Sequence, residues 1–443
     1  MKIKNITRII SIFSLVFLIA LVSGNNASAH TNAKMEEKWE TSKSIKSTKK
    51  GIQYYAYISK DKKEAWIYKI RLKSKKVTKL EFPSKIKGKK VTTLGAVDEL
   101  YPDDRQEARL DGCVNILGEI FEPWHDVEAE STNKVKNIKL PNTIKKLASS
   151  TLAGFPKAKK IILSSKITTL ETYQFYGDKK LKSIYIGGNC QELEYTLFGK
   201  CKSLKEIKFG KKVKIVDSQS IEECYSLKKI KVDKKNKYLS AKDGMLLTKN
   251  KKKLLLVPAG KKKVEIPKGV KEIADKILYG AKVKEIWLPK SLKTIGAAAF
   301  DVTDIKKWHI AKGSEYKKTK NCVYSKKSGE LIYLYCFKTV KLPAEITRIG
   351  SSFSMSSANG RIENLYLPKT FKEIEITADI NYIACISSHL YFMSPKPPKV
   401  IQVDSKMASW FIPHIPENNK EEYLKWLEEN FYFEREKDEY ATF

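Results

Sequence analysis

The sequence predicts a β-rich repeat solenoid, a parallel sheet of short strands with β-hairpin insertions. Three observations predict it. Apolar residues recur every 23 positions through the middle of the 443-residue chain. Apolar pairs two apart flank an outward residue, as Ile207 and Phe209 flank Lys208. Twice the register breaks around two apolar runs joined by a lysine-rich turn. A 23-residue unit cannot bury its own apolar face, so successive coils must stack and share one interior.

The elements follow in chain order. Lys2, Lys4 and Arg8, the apolar run Ile9 to Val22 and the triplet Ala27-Ser28-Ala29 have the layout of a secretory signal peptide, cleaved after Ala29. The apolar run is short for a membrane anchor, and no later stretch is long enough to span a bilayer. Residues 1–29 therefore read as signal peptide, and the mature chain as secreted and extracellular, free or associated with the cell surface without a transmembrane segment. Residues 30–134 read as an amino-terminal capping region. It holds a first coil, Phe82, Ile86, Val91 and Leu94, and an acidic, aromatic insertion at 95–134.

Residues 135–394 carry the repeat. Strands end at Leu140, Leu163, Ile186, Phe209 and Val232. Locked columns follow: Ile144, Ile167, Cys190 and Val213; Leu147, Leu170, Leu193 and Val216; Leu152, Phe175, Phe198 and Ile221; Ala158, Leu181, Leu204 and Leu227; Ile161, Ile184, Ile207 and Ile230. Each coil should supply one strand, about 4.8 Å from the next, with a short helix or irregular arc opposite, as over residues 192–204. The pattern resumes with a step of 22 from Ile266 to Leu288 and continues loosely from Leu342 and Leu367 to Phe392. About nine rungs make a sheet of roughly 40 Å. The two breaks, Val232 to Ile266 and Ile310 to Leu342, read as β-hairpins: Met245-Leu246-Leu247 with Leu254 to Val257, and Cys322-Val323-Tyr324 with Leu331 to Leu334. The coil at 351–360 fits worst, because small polar residues replace the apolar columns.

The L-P-x-x-I/V-K-x-I pattern, Ile295-Gly296-Ala297-Ala298-Ala299-Phe300, Phe198-Gly199-Lys200-Cys201 and the hairpin start Asp243-Gly244-Met245-Leu246 resemble the BspA-type leucine-rich repeats of bacterial surface proteins. The resemblance covers roughly residues 80–430 and implies a leucine-rich-repeat solenoid. It also implies that residues 395–443 form a carboxyl-terminal cap: Pro397-Pro398, a closing strand at Phe411-Ile412-Pro413 and a terminal helix through Glu422-Tyr423-Leu424-Lys425. For function it implies adhesion, or binding of protein or glycan ligands, rather than catalysis. Cys201 and Cys224, stacked one step apart, lie within disulfide reach; the resemblance implies free buried thiols there instead.

The charge points the same way less specifically. Without Lys2, Lys4 and Arg8 the formal charge falls from +35 to +32. Such a balance attracts anionic surfaces, an anionic cell-wall polymer among them. Only seven of the basic residues are arginine, the side chain that reads phosphate and carboxylate with a bidentate fork. No nucleic-acid-binding module is recognisable, so no specific nucleic-acid partner is expected. The alternative to a ligand-binding protein is thus a structural wall-associated protein held by its charge.

Nothing suggests an enzyme. The seven cysteines form no C-x-x-C pair, the five histidines lie in no metal-binding spacing, and neither a phosphate-cradling glycine loop nor a G-x-S-x-G elbow occurs. Cys113 and His125 lack a positioned third group. No cofactor, metal or catalytic residue is expected. The candidate ligand-binding surface is instead the outward position of each strand: Lys139, Ile162, Tyr185, Lys208, Lys231, Trp287, His309, Tyr366 and Tyr391. Aromatic faces there can stack on sugars or pack on protein. The competing reading is that these are ladder residues stabilising an exposed sheet.

Overall fold

The computed structural model describes residues 38–95, 113–117, 120–121, 133–279, 281–301, 303–356, 362–376, 387–402, 407–409, 411–433 and 441–442. The signal peptide with its Ala27-Ser28-Ala29 site, His30, His125 and most of the 95–134 insertion lie outside the described residues. The chain is a β-solenoid of about 13 turns. That exceeds the nine rungs counted from sequence, in part because the strands Ile412–Ile415 and Ala441–Thr442 lie past the last apolar column. Two compact units divide it, residues 31–264 with 280–283, and residues 265–279 with 284–443.

In the amino unit, Ser183–Ile186, Glu206–Phe209 and Lys229–Val232 form a parallel ladder in which Ile184, Ile207 and Ile230 are register partners. Lys79–Glu81, Asn137–Lys139 and Lys160–Ile162 form another. Each coil supplies a second strand as well, two residues long, where one was expected. Thr169–Leu170, Glu192–Leu193 and Ile215–Val216 pair in parallel, and they carry the column seven after each strand end. Two residues cannot display an alternation, so periodicity missed them.

All five columns point inward. Phe175 and Phe198 stack at 5.1 Å between ring centroids, and both are fully buried. The arc opposite is made of turns, so of the two forms expected over residues 192–204, short helix or irregular arc, the chain takes the irregular arc. Ser150, Tyr173 and Thr196 have positive φ at one position of successive coils, and Gly154, Gly177, Lys200 and Glu223 at another. Two left-handed residues per coil stop a right-handed helix from propagating.

Both sequence hairpins are three-stranded antiparallel meanders, because the lead-in segment is also a strand. Leu239–Lys242, Met245–Thr248 and Lys253–Leu256 form one; Tyr316–Lys318, Cys322–Ser325 and Glu330–Leu334 form the other. A third, unread in the sequence, is Trp39–Lys49, Ile52–Ser59 and Glu64–Leu72. Its second turn and that of the 239–256 meander are alike. The hydroxyls of Ser59 and Thr248 donate to Asp61 and Asn250, whose side chains accept from the amides of Lys63 and Lys252. The first turns also match, with Lys50-Gly51 and Asp243-Gly244 both left-handed, the geometry of a two-residue hairpin.

In the carboxyl unit, Glu285–Leu288 pairs with Lys307–Ile310. A longer ladder joins Thr339–Lys341, Ile362–Leu367, Ser387–Phe392, Ile412–Ile415 and Ala441–Thr442. The poorly fitting 351–360 coil enters through the eight-residue strand Arg348–Met355, which buries Phe353 and Ser354. The terminal helix, Lys420–Asn430, buries Tyr423, Trp426 and Leu427 on one face. The Tyr423 hydroxyl donates to the carbonyls of Ser394 and Lys396 at 3.0 and 2.9 Å, fastening the helix to the preceding loop. Among the described residues no helix is long and apolar enough to cross a membrane.

Candidate ligand-binding face

The backbone register puts each outward residue beside its counterpart in the next coil. In the amino unit Tyr185, Lys208 and Lys231 are direct partners. Tyr185 is 52% exposed. Its ring lies so close to Gly187 that a Cβ there would meet the ring carbons. Lys208 Nζ sits 5.5 Å from the Tyr185 centroid, a cation–π distance, and Lys231 pairs with Glu206 at 2.7 Å. Lys208, Lys229, Lys231, Lys234 and Lys235 border an open depression of about 600 Å³. Lys139 and Ile162, the outward residues of the preceding ladder, are both exposed and stand in register with each other.

The carboxyl unit repeats this geometry with other chemistry. Trp287 and His309 are register partners whose rings stack at 4.3 Å and 6°. His309 Nε2 lies 2.7 Å from Glu285 Oε1. The next sheet aligns Lys341, Tyr366, Tyr391 and His414 in four consecutive strands. Tyr366 and Tyr391 stack at 4.1 Å and 13°, Tyr391 and His414 at 4.0 Å and 11°. Lys341 Nζ lies 5.1 Å from the Tyr366 centroid. The Tyr391 hydroxyl donates to Asn364 Oδ1 at 3.3 Å. Partial desolvation and the neighbouring Tyr366 hydroxyl hold the Tyr391 phenol above its usual pKa.

This stacking changes what the predicted residues can offer. The sequence suggested free aromatic faces for a sugar ring. In the carboxyl ladder both faces of Tyr391 are covered by neighbouring rings, and Tyr366 lies between Tyr391 and the Lys341 ammonium. Ring edges, with their hydroxyls and nitrogens, are what remains for a ligand. The sheets also divide the predicted set: Trp287 and His309 belong to one, Tyr366 and Tyr391 to another.

Sequence reasoning missed Lys341, Asn364, His389 and His414 as members of this face and treated the histidines as scattered. His389 and His414 in fact meet, Nδ1 to Nε2, at 2.9 Å. Desolvation and the neighbouring His389 lower the pKa of His414. The available signal was the closing strand: His414 follows Tyr391 by 23 residues, the repeat's own step.

Buried titratable groups lie apart from this face. Cys190, Cys201, Cys224, Cys322 and Cys336 are free, as the family resemblance implied for Cys201 and Cys224. The Cys201 and Cys224 thiols each donate to a backbone carbonyl at 2.9 Å. Burial pushes the Cys190 thiol up to about 12 and raises Cys201 as well, which leaves little reactive thiolate. Asp178 occupies the same column one coil before Cys201. It is fully buried, accepts from the Phe155 amide at 2.9 Å, and is driven well above the usual carboxylate range by desolvation.

Comparison with known proteins agrees with this architecture. The BspA type leucine rich repeat region matches residues 129–242 and 260–378, with six copies. A search of curated proteins returns no match. Among solved structures, the chain is similar to the pneumococcal vaccine antigen PcpA, with 14% identity, 90% of this chain and 98% of that one covered, and a TM-score of 0.43. A leucine-rich repeat protein from Bacteroides ovatus gives 13%, 90%, 99% and 0.41. A leucine rich cell surface protein from Faecalibacterium prausnitzii gives 16%, 82%, 95% and 0.38. With the repeat matched over more than half its length, this chain belongs to the BspA-type leucine-rich repeat family.

Proposed function

We propose that this chain is a secreted or cell-surface protein that mediates adhesion by binding a protein or glycan ligand along its outward strand face. The observation that supports this reading is the ladder Lys341, Tyr366, Tyr391 and His414. Its rings are mutually covered, so it offers an ammonium, two phenol hydroxyls and imidazole nitrogens at steps of about 4.8 Å. Such a row suits hydroxyls along a glycan or carbonyls along an extended peptide. Trp287 with His309, and Tyr185 with Lys208 and Lys231, extend the same polar and aromatic character to the other ladders. Protein and glycan arrays probed with the parent and with Tyr366→Ala, Tyr391→Phe and Trp287→Ala variants test the assignment. A ligand whose binding survives all three changes would remove the function from this face.

A second reading has its own support in the lysines bordering the depression around Lys208 and Lys231. In it the chain is a structural wall-associated protein, held by charge to an anionic polymer. Moderate salt should then release it from cells, because exposed charges are screened beyond about 8–10 Å near physiological ionic strength. Retention in high salt counts against it.

A further inference from the structure

We propose that His389 and His414 form a chelating pair for a divalent transition-metal ion of the copper(II) or nickel(II) type on the outward face of the carboxyl unit. The argument begins with register. His389 and Tyr391 stand two apart in Ser387–Phe392 and so share a face, while His414 is the direct partner of Tyr391 in the next strand. The two imidazoles are therefore diagonal neighbours, and their facing nitrogens, Nδ1 of His389 and Nε2 of His414, lie 2.9 Å apart. His414 is held in place by its stack on Tyr391, which is itself stacked on Tyr366 and bonded to Asn364. One arm of the pair is thus fixed before any ion arrives.

That separation has a coordination meaning. With metal–nitrogen bonds of about 2.0–2.1 Å, two imidazoles at right angles on one ion place their nitrogens about 2.9 Å apart, whereas tetrahedral positions need about 3.4 Å. The observed spacing fits adjacent positions of a tetragonal or octahedral ion, with a small opening needed for zinc. In the metal-free pair one facing nitrogen donates to the other. Binding needs both facing lone pairs, so the donor ring moves its proton to its far nitrogen through solvent and remains neutral. No group of three or more His, Cys, Asp or Glu suited to a metal occurs among the described residues. The other coordination positions stay open to water or to a donor atom from outside. Imidazole ligation without carboxylate favours copper and nickel over magnesium and calcium.

The test does not depend on finding the ligand of the proposed function, since the probe is the metal alone. The full chain is titrated with nickel(II) and with copper(II) by calorimetry, and the copper form is read by electron paramagnetic resonance. One equivalent with hyperfine coupling to two imidazole nitrogens is expected. His389→Ala and His414→Ala should each weaken binding at least tenfold, His309→Ala should leave it unchanged, and Tyr391→Ala should weaken it by about tenfold through loss of the support beneath His414. Circular dichroism establishes that each variant folds. Parent-like binding by both histidine variants, a sulfur-to-metal charge-transfer band, or no bound equivalent would each overturn the proposal.

Discussion

The ladder of the amino unit and the ladder of the carboxyl unit share a backbone and a lysine over a tyrosine ring, and differ in the rest of what they show to solvent. Lys208 lies over the Tyr185 ring and Lys231 pairs with Glu206, with the lysine heads in water. Tyr366, Tyr391 and His414 are stacked ring on ring. Inward, both ladders present the same aliphatic and aromatic columns. Register is therefore set by the interior, where a one-residue slip would turn every apolar side chain to water. The exterior is free to vary, and that freedom is what a binding scaffold needs.

The comparison can be broken most severely from inside. Phe198→Ala should cost about 3–5 kcal/mol, the range for emptying an aromatic core position, and urea unfolding of the amino unit would show it. A loss under 1 kcal/mol would mean the columns do not set the register.

Asp178 tests the same interior electrostatically. Its folded pKa lies above the value of about 3.9 for an unfolded chain. The stability it contributes is thus complete below that value and is lost as pH rises toward the folded pKa. Asp178→Asn removes the titration, so the melting temperature of the parent relative to the variant should fall steadily as pH is raised from 4. A constant difference across pH would refute a neutral buried carboxyl.

Gly177→Ala isolates the backbone. Its φ is +72° and an added Cβ meets nothing within 4 Å, so only left-handed strain of about 1–2 kcal/mol is introduced. Glu223→Gly, at a matching position, should change stability in the opposite direction.

On the outside the effects shrink. Tyr391→Ala should lose about 0.5–1.5 kcal/mol for its ring pairs. Lys231→Ala should lose about 0–1 kcal/mol, as exposed ion pairs do. If the lysine mattered more than the tyrosine, the two exteriors would not differ in the way described.

The interior was legible in the sequence because it repeats. Ile184, Ile207 and Ile230 announce themselves by position alone, and burial follows from the need of each coil for its neighbours. Less regular parts escaped for definite reasons. Glu192–Leu193 is too short to show a period. Ile52–Ser59 and Glu64–Leu72 lie ahead of the first repeat column and so have no 23-residue partner to reveal them. The outward residues Tyr366 and Tyr391 could be named from strand alternation, yet their stacking could not, since it depends on side-chain angles that periodicity does not encode. His389 and His414 meet only because the closing strand adds one more turn beyond the repeats.

The meanders give the abundant lysine a further role. Among the described residues, Trp39–Lys49 and Tyr316–Lys318 are terminal strands, each hydrogen-bonded to one neighbour. An unpaired strand edge invites a second chain to add to it. Lys43, Lys46 and Lys49 stand along the first, and Lys317 and Lys318 along the other. Two copies approaching edge to edge would bring these ammonium groups together and be repelled. These lysines insulate the strand edges from one another, and chemical acetylation should promote edge-to-edge association of copies, read by light scattering.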